Sequence, residues 1–177
     1  MNPTERELLL LHLRDSGNAI RQATAGLNDA QAAFRPASGR WSALDCLEHV
    51  IVAEDFMFRA ATEKRRPWDP ASSNRHLDGL ILHGGTDRSQ KFQAPEPAEP
   101  KGRFPNLVAA LAEFEKVRAR TVAYVEQCSD DLRGFSAKHP LVGTLDCYQL
   151  LLIVALHPAR HALQIHEVRS DPSFPKS

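Results

Sequence analysis

Apolar residues recur along this chain at the spacing of helical turns, in four long segments. In residues 4 to 26, Leu9, Leu13 and Ile20, with Leu27 just beyond, lie one or two turns apart, which places them on one face of a 3.6-residue period. Pro3, before this segment, is well suited to a helix start. Residues 105 to 128 repeat the pattern with Leu107, Leu111, Phe114, Thr121 and Val125, after Pro105. Residues 42 to 64 follow Ser42, with Asp45 three positions on, a variant of the capping box. Residues 144 to 169 follow Gly143-Thr144, with Asp146 in the first turn, where a carboxylate favours the helix dipole. Sustained alternation of period two is absent, and so is any internal repeat. The pattern predicts no substantial sheet.

Between the second and third segments lies a stretch of a different kind, residues 65 to 104. It holds Pro67, Pro70, Gly84-Gly85 and the run Ala94-Pro-Glu-Pro-Ala-Glu-Pro100, which oppose continuous helix. A short helix near Leu77 to Leu82 is its one regular element. Connections of this length are uncommon in compact domains and often functional. The reading is all-α: a four-helix bundle with a long irregular connection between helices 2 and 3, in a single domain, 1–177.

Charge narrows the function classes. The chain has 22 basic and 22 acidic residues, so no broad basic field exists to hold a nucleic-acid backbone. Lys64-Arg65-Arg66 reads as a solvated helix end. Three cysteines, at 46, 128 and 147, form no CxxC pair and imply no disulfide framework. Cys46 and Cys147 sit in apolar helical settings and read as packing residues rather than nucleophiles. No signal-peptide pattern opens the chain, and its longest apolar run, Leu150 to Leu156, is far short of the ~18 residues of a membrane span. A soluble, reducing, cytoplasmic setting is expected, without membrane partners.

The candidate chemistry follows that apolar run, in His157-Pro-Ala-Arg-His161. Histidines four apart on a helix share one face, so two imidazoles can grip one metal ion. A third is available from the second segment, at His49. The spacing alone is more often that of core-edge histidines bonded to backbone or solvent. Asp45, one turn before His49, could orient its ring. Gln164 follows His161 by about a turn and could reach a bound water or ligand. Pro158 removes the helical bond back to Val154 and disfavours helical geometry at His157. A kink, a bulge or a new helix beginning at Pro158 is expected. His12, His76, His83, His139 and His166 lack comparable pairing and read as surface or loop residues. Trp41 reads as a pin at the helix entry, and Gly84-Gly85 as a turn. The chain has no GxGxxG, Walker loop, GxSxG or HExxH, which removes the enzyme classes those motifs serve.

Arg35-Pro36, Trp41-Ser42 and Glu48-His49, with His139-Pro-Leu-Val-Gly-Thr144, His157-Pro-Ala-Arg-His161 and Gln164-Ile165, together resemble the second- and fourth-helix blocks of the DinB-like, or YfiT-like, superfamily of four-helix bundles. The resemblance spans most of the chain. It implies a divalent metal held by His49, His157 and His161, with zinc or nickel foremost and iron or manganese as alternatives. Some relatives are transferases or isomerases that use low-molecular-weight thiols, and relatives are often homodimers. The implied function is a metal-dependent thiol S-transferase or hydrolase acting on a small-molecule electrophile. Arg160 and Gln164 are further contact candidates, and the catalytic residues are unassigned. The rival is a non-catalytic metal-binding or stress-related structural protein. Pro158 and the long connection depart from the family's compact members.

Overall fold

The computed structural model describes residues 1–176. Four long helices form the bundle: α1, Pro3–Thr24, α3, Ala43–Thr62, α5, Leu107–Gln127, and α6, Cys147–Arg169. A one-turn helix, α2, Asp29–Ala33, precedes α3, and α4, His76–Gly84, lies in the long connection. Around the bundle the order is α1, α6, α3, α5, back to α1. The chain therefore crosses a diagonal between α1 and α3, and again between α5 and α6.

Each of the four long helices starts at a side-chain cap. Ser42 and Asp45 form the expected reciprocal box: the Asp45 N–H donates to Ser42 Oγ at 3.1 Å, and the Ser42 N–H to Asp45 Oδ2 at 2.8 Å. Asn2 with Glu5 does the same for α1. Each box satisfies two backbone donors that a helix start otherwise leaves unpaired.

The core has two apolar clusters. One joins Leu9 and Leu13 to Met57, Phe58 and Leu150–Leu152. The other joins Ile20, Leu47 and Val50 to Phe114, Ala162 and Ile165. The N-terminal half of α3 thus packs on the C-terminal half of α6, and the two helices are antiparallel. A buried polar layer marks the junction of the clusters. Arg118 donates to Glu54 at 2.7 Å and to the Leu13 carbonyl at 3.1 Å, while Thr121 donates to Glu54 at 2.8 Å. Burial raises the Glu54 carboxyl pKa and lowers that of Arg118, and each charge partly offsets the shift of the other.

The predominantly helical reading holds, and two details differ from it. A small antiparallel sheet exists, in the order β1, Arg66–Pro67, β2, Phe135–His139, β3, Gly143–Asp146. β2 and β3 form a hairpin with Ser136 opposite Asp146 and His139 opposite Gly143. Gly143 has φ +90°, a conformation glycine adopts without steric cost. The last helix consequently begins at Cys147, capped by Asp146, rather than at 144. The second concerns the bulge or new start expected at Pro158. α6 runs through it as one helix, with neither a π-type turn nor a second start. Pro158 is buried, and packing on α1 and α3 holds the helix across the missing N–H.

The hairpin, α4 and the bundle meet at Arg133. Its guanidinium is 4% exposed and pairs with Glu5 of α1 at 3.0 Å, Asp78 of α4 at 2.6 Å and the fully buried Asp146 at 2.9 Å. Its charge centre lies 4.0 Å from the Tyr148 ring centroid. The basic cluster after α3 is likewise only partly solvated, because Arg65 lies 4.1 Å over the Phe135 ring and pairs with Asp130. Arg133→Met leaves buried carboxylates without a partner. It is expected to destabilise the fold by about 3–5 kcal/mol, read as a lower urea midpoint with an unchanged slope.

Candidate metal centre

The antiparallel packing of α3 on α6 sets His49 opposite His157 and His161. Their Nε2 atoms converge: His49 Nε2 lies 3.2 Å from His157 Nε2, which lies 3.0 Å from His161 Nε2. Tetrahedral zinc with ligands at ~2.0–2.1 Å separates its donor atoms by about 3.3 Å, close to both of these separations, and with all three atoms within 4.8 Å of one another a small rotation of the rings brings them onto one ion. Ordinary core histidines each find a separate partner. Here three Nε2 atoms face one another, and among the described residues no Cys, Asp or Glu joins them.

The far nitrogens explain the orientation. His49 Nδ1 is 2.7 Å from the Ala98 carbonyl, and His161 Nδ1 is 3.0 Å from Gln164 Oε1. Both acceptors require Nδ1 to carry the proton, which leaves each Nε2 as a lone pair. Gln164 therefore does not reach for ligand; it orients His161. Its oxygen also accepts from Arg88 at 3.2 Å, and Arg88 is paired with Glu167. Asp45 does not orient His49. Its oxygens accept from Ser42 N–H and from Arg35 at 2.7 and 2.8 Å, so the capping geometry holds the carboxylate away from the imidazole.

The long connection closes the site. Prolines bracket the turn Glu96–Ala98 that presents the Ala98 carbonyl. The strand of chain that follows is anchored by Glu48, which is buried and accepts from the Lys101 and Arg103 backbone at 2.6 and 2.9 Å and from the Arg103 side chain at 2.5 Å. Glu48 thus acts on the site through its neighbour's partner. Trp41 covers the rings, with centroids 4.8 Å from His49 and 6.0 Å from His161. Its place is over the imidazoles as well as at the helix entry.

All three rings are held neutral. Burial is the main cause of the lowered pKa at His49, and of the strong lowering at His157 and His161, where neighbouring basic groups add to it. The cluster opens on a cleft of about 1500 Å³, walled by α3, α6, α4, the connection and the hairpin tip. His139, expected on the surface, is half-buried and lines this cleft. Its Nδ1 accepts the Leu141 and Val142 N–H groups at 3.2 Å, which fixes the neutral ring as an Nε2–H donor. The proximity of His139-Pro140 to the site had a sequence trace only in the motif leading into α6. Arg160 lines the cleft but bonds the Gln90 carbonyl at 2.6 Å. His12, His76, His83 and His166 stand outside the cluster. The cysteines are buried, with the Cys46 thiol pushed up strongly and that of Cys147 pushed up to about 12 by burial, which suits packing rather than nucleophilic attack.

The profile of the DinB superfamily matches residues 12–165. The chain belongs to the DinB superfamily. Among solved structures it is similar to "YfiT from Bacillus subtilis", described as "a probable metal-dependent hydrolase with an unusual four-helix bundle topology", with a TM-score of 0.62, 14% identity, and coverage of 99% of this chain and 91% of that one. At that identity the likeness is one of fold. Among curated proteins no relative is found. Among the described residues of this DinB-superfamily chain, no helix is long and apolar enough to cross a membrane.

Replacing His49, His157 or His161 by Ala is expected to abolish stoichiometric metal in elemental analysis while helical circular dichroism persists. Gln164→Leu keeps the three donors and is expected to weaken metal binding by about 10–100-fold. The lowered pKa values also set a pH dependence. Below the ordinary histidine pKa of about 6.5 the unfolded chain takes up protons that the native rings refuse. The metal-free protein is therefore expected to hold its full stability above that pH and to lose it progressively as pH falls, in urea titrations between pH 7.5 and 5. A stability that rose on acidification would contradict the buried neutral cluster.

Proposed function

We propose that this protein binds one divalent metal ion through His49, His157 and His161 and is a metal-dependent hydrolase or thiol S-transferase acting on a small electrophile. One observation carries the reading: the Nε2 atoms of three histidines face one another in the wall of an open cleft, two of them as lone pairs. Structural zinc sites normally use four protein ligands, whereas catalytic ones use three and keep a position free. The absence of a carboxylate or thiolate from the cluster also leaves a cation's charge uncompensated, which favours an anionic nucleophile.

A bound divalent cation supplies Lewis acidity, making a water or low-molecular-weight thiol nucleophilic near neutral pH. The chain's own residues do the rest. The Ala98 carbonyl and Gln164 keep two Nε2 lone pairs aimed inward. Trp41 screens the rings on one side. His139 offers an Nε2–H donor from the cleft wall to an oxygen that gains charge in the reaction. The likeness to YfiT, a probable metal-dependent hydrolase, supports the hydrolase branch. Zinc and nickel both suit an all-imidazole donor set, with iron and manganese as the other cations to test.

The test compares metal-free protein with protein loaded with each of the four cations. Ester, epoxide and halide substrates are offered with water alone and with small thiols. Turnover is expected only in loaded protein and is lost in His161→Ala. A requirement for thiol marks the transferase, and turnover in water alone marks the hydrolase. Equal rates with and without metal would overturn the reading.

A further inference from the structure

The floor of the cleft is graded along α6. Ile153 and Leu156 line it first, then His157, Arg160 and His161, then Gln164. The side chains recur at intervals of three or four residues, so they follow one helix face over a length of about 16 Å. The apolar end is extended by the chain opposite. Ile81 of α4 and Met57 of α3 line it, and Gly85 lies so close to Leu156 that a Cβ there would come within 3.3 Å of it. Exposed apolar side chains gather at the same cleft. Of the eight large hydrophobics that are exposed among the described residues, Phe56, Leu80, Phe92, Leu141 and Val142 line it. Such concentration marks a surface that receives an apolar ligand.

Charge is also unevenly placed, although the chain as a whole is neutral. At the Gln164 end, Arg40, Arg88 and Lys91 crowd around Glu167, whose carboxyl pKa all three lower. Glu167 pairs with Arg88 through two bonds of 2.6 and 2.8 Å. Arg40 and Lys91 have no ion-pair partner among the described residues, and both line the cleft. At the far end Arg59 and Arg120 are both paired with Asp55, at 3.6 and 2.6 Å. Lys64 also lines the cleft at that far rim without an ion-pair partner among the described residues, so the larger part of the positive surplus, Arg40 with Lys91, lies beyond the histidines, on the side away from the apolar wall. The cleft volume, about 1500 Å³, exceeds the ~300–1,000 Å³ usual for small ligands and leaves room for an extended chain.

We propose that the cleft binds an amphipathic carboxylate, with its apolar chain on the wall of Ile81, Ile153 and Leu156 and its anionic group at Arg40 and Lys91. The ligand then passes over His157 and His161 between its two ends. The link to catalysis rests on the metal-dependent reading above; the binding does not, and is tested without metal.

Decanoate, its uncharged analogue decanol and the short-chain butyrate are titrated into the full chain, metal-free and zinc-loaded, by calorimetry and by tryptophan fluorescence, since Trp41 lines the cleft. Decanoate is expected to bind both forms at one site, with decanol and butyrate weaker by about tenfold or more. Added salt weakens decanoate and not decanol. Combined Arg40→Gln and Lys91→Gln substitution removes the preference for decanoate over decanol, while Ile81→Ser weakens both. Lys64→Gln, at the opposite rim, leaves binding unchanged. Equal affinity for decanoate and decanol overturns the proposal, and so does loss of binding in Lys64→Gln in place of the Arg40 and Lys91 variants. Binding of decanoate only to zinc-loaded protein overturns it as well, since the carboxylate would then sit on the metal. Failure of decanoate to bind either form, with stoichiometric zinc still retained, refutes this inference and leaves the metal centre standing.

Discussion

Three imidazole nitrogens face one another in the interface of α3 and α6, with His157 within hydrogen-bond distance of both others, and the bonds made by the far nitrogens leave at most one proton to share among them. His49 and His161 use their own proton at Nδ1, for the Ala98 carbonyl and for Gln164. Only His157 can then offer Nε2–H to the other two. Two lone pairs facing a single donor make a poor hydrogen-bond arrangement and a good cation site. Protonating any ring would put a charge beside two basic neighbours in a buried setting, and the lowered pKa values express that cost. The surrounding structure is built to hold this cluster neutral and aimed. Gln164 is locked by Arg88, Arg88 by Glu167, and the Ala98 turn by the chain that Glu48 anchors.

Much of this was legible in the residues. The four apolar periodicities gave the bundle, the Ser42–Asp45 pair gave the start of α3, and the His157–His161 spacing gave one face of α6. The hairpin was not legible. Its strands have two to five residues, and their burial does not alternate, so no period-two signal could form. Asp45 was misread because helical spacing reports which groups can meet, not which competitor wins. The carboxylate sits in reach of Ser42 N–H and the Arg35 guanidinium, and both hold it. The bulge or new start expected at Pro158 did not form for a related reason: the cost of proline in an isolated helix is about 3 kcal/mol, but a helix buried on two sides is held by more than its own ladder. Glu48 acts through the backbone of a distant segment, and His139 reaches the cleft only because the hairpin carries it there, and no local pattern records either.

The buried ions follow a division of labour. Glu54 with Arg118 and Thr121 sits where the two apolar clusters meet, touching α1, α3 and α5. Arg133 collects carboxylates from α1, α4 and the start of α6. Neither contributes much net stability, since desolvation offsets most of the attraction. What they provide is register. A buried charge left unpaired is so costly that helices joined by one cannot slide by a turn, and the histidine cluster tolerates no such slide.

The long connection then has a physical rationale. Ordering an irregular segment of this size costs conformational entropy at every residue, and the segment buries little of its own surface. Prolines lower that cost by restricting the unfolded chain, and they are concentrated where order matters most, at 95, 97 and 100 around the Ala98 carbonyl. The rest is pinned at separated points: Asp78 to Arg133, Arg88 to Glu167, and the Lys101 and Arg103 backbone to Glu48. Between the pins the chain makes few buried contacts, and α4 has no fully buried residue. A wall fixed at its ends and shallowly packed between them can keep the imidazoles aimed while its span adjusts to what enters the cleft. The aim of the imidazoles and the breadth of the cleft are therefore set by different stretches of the same connection.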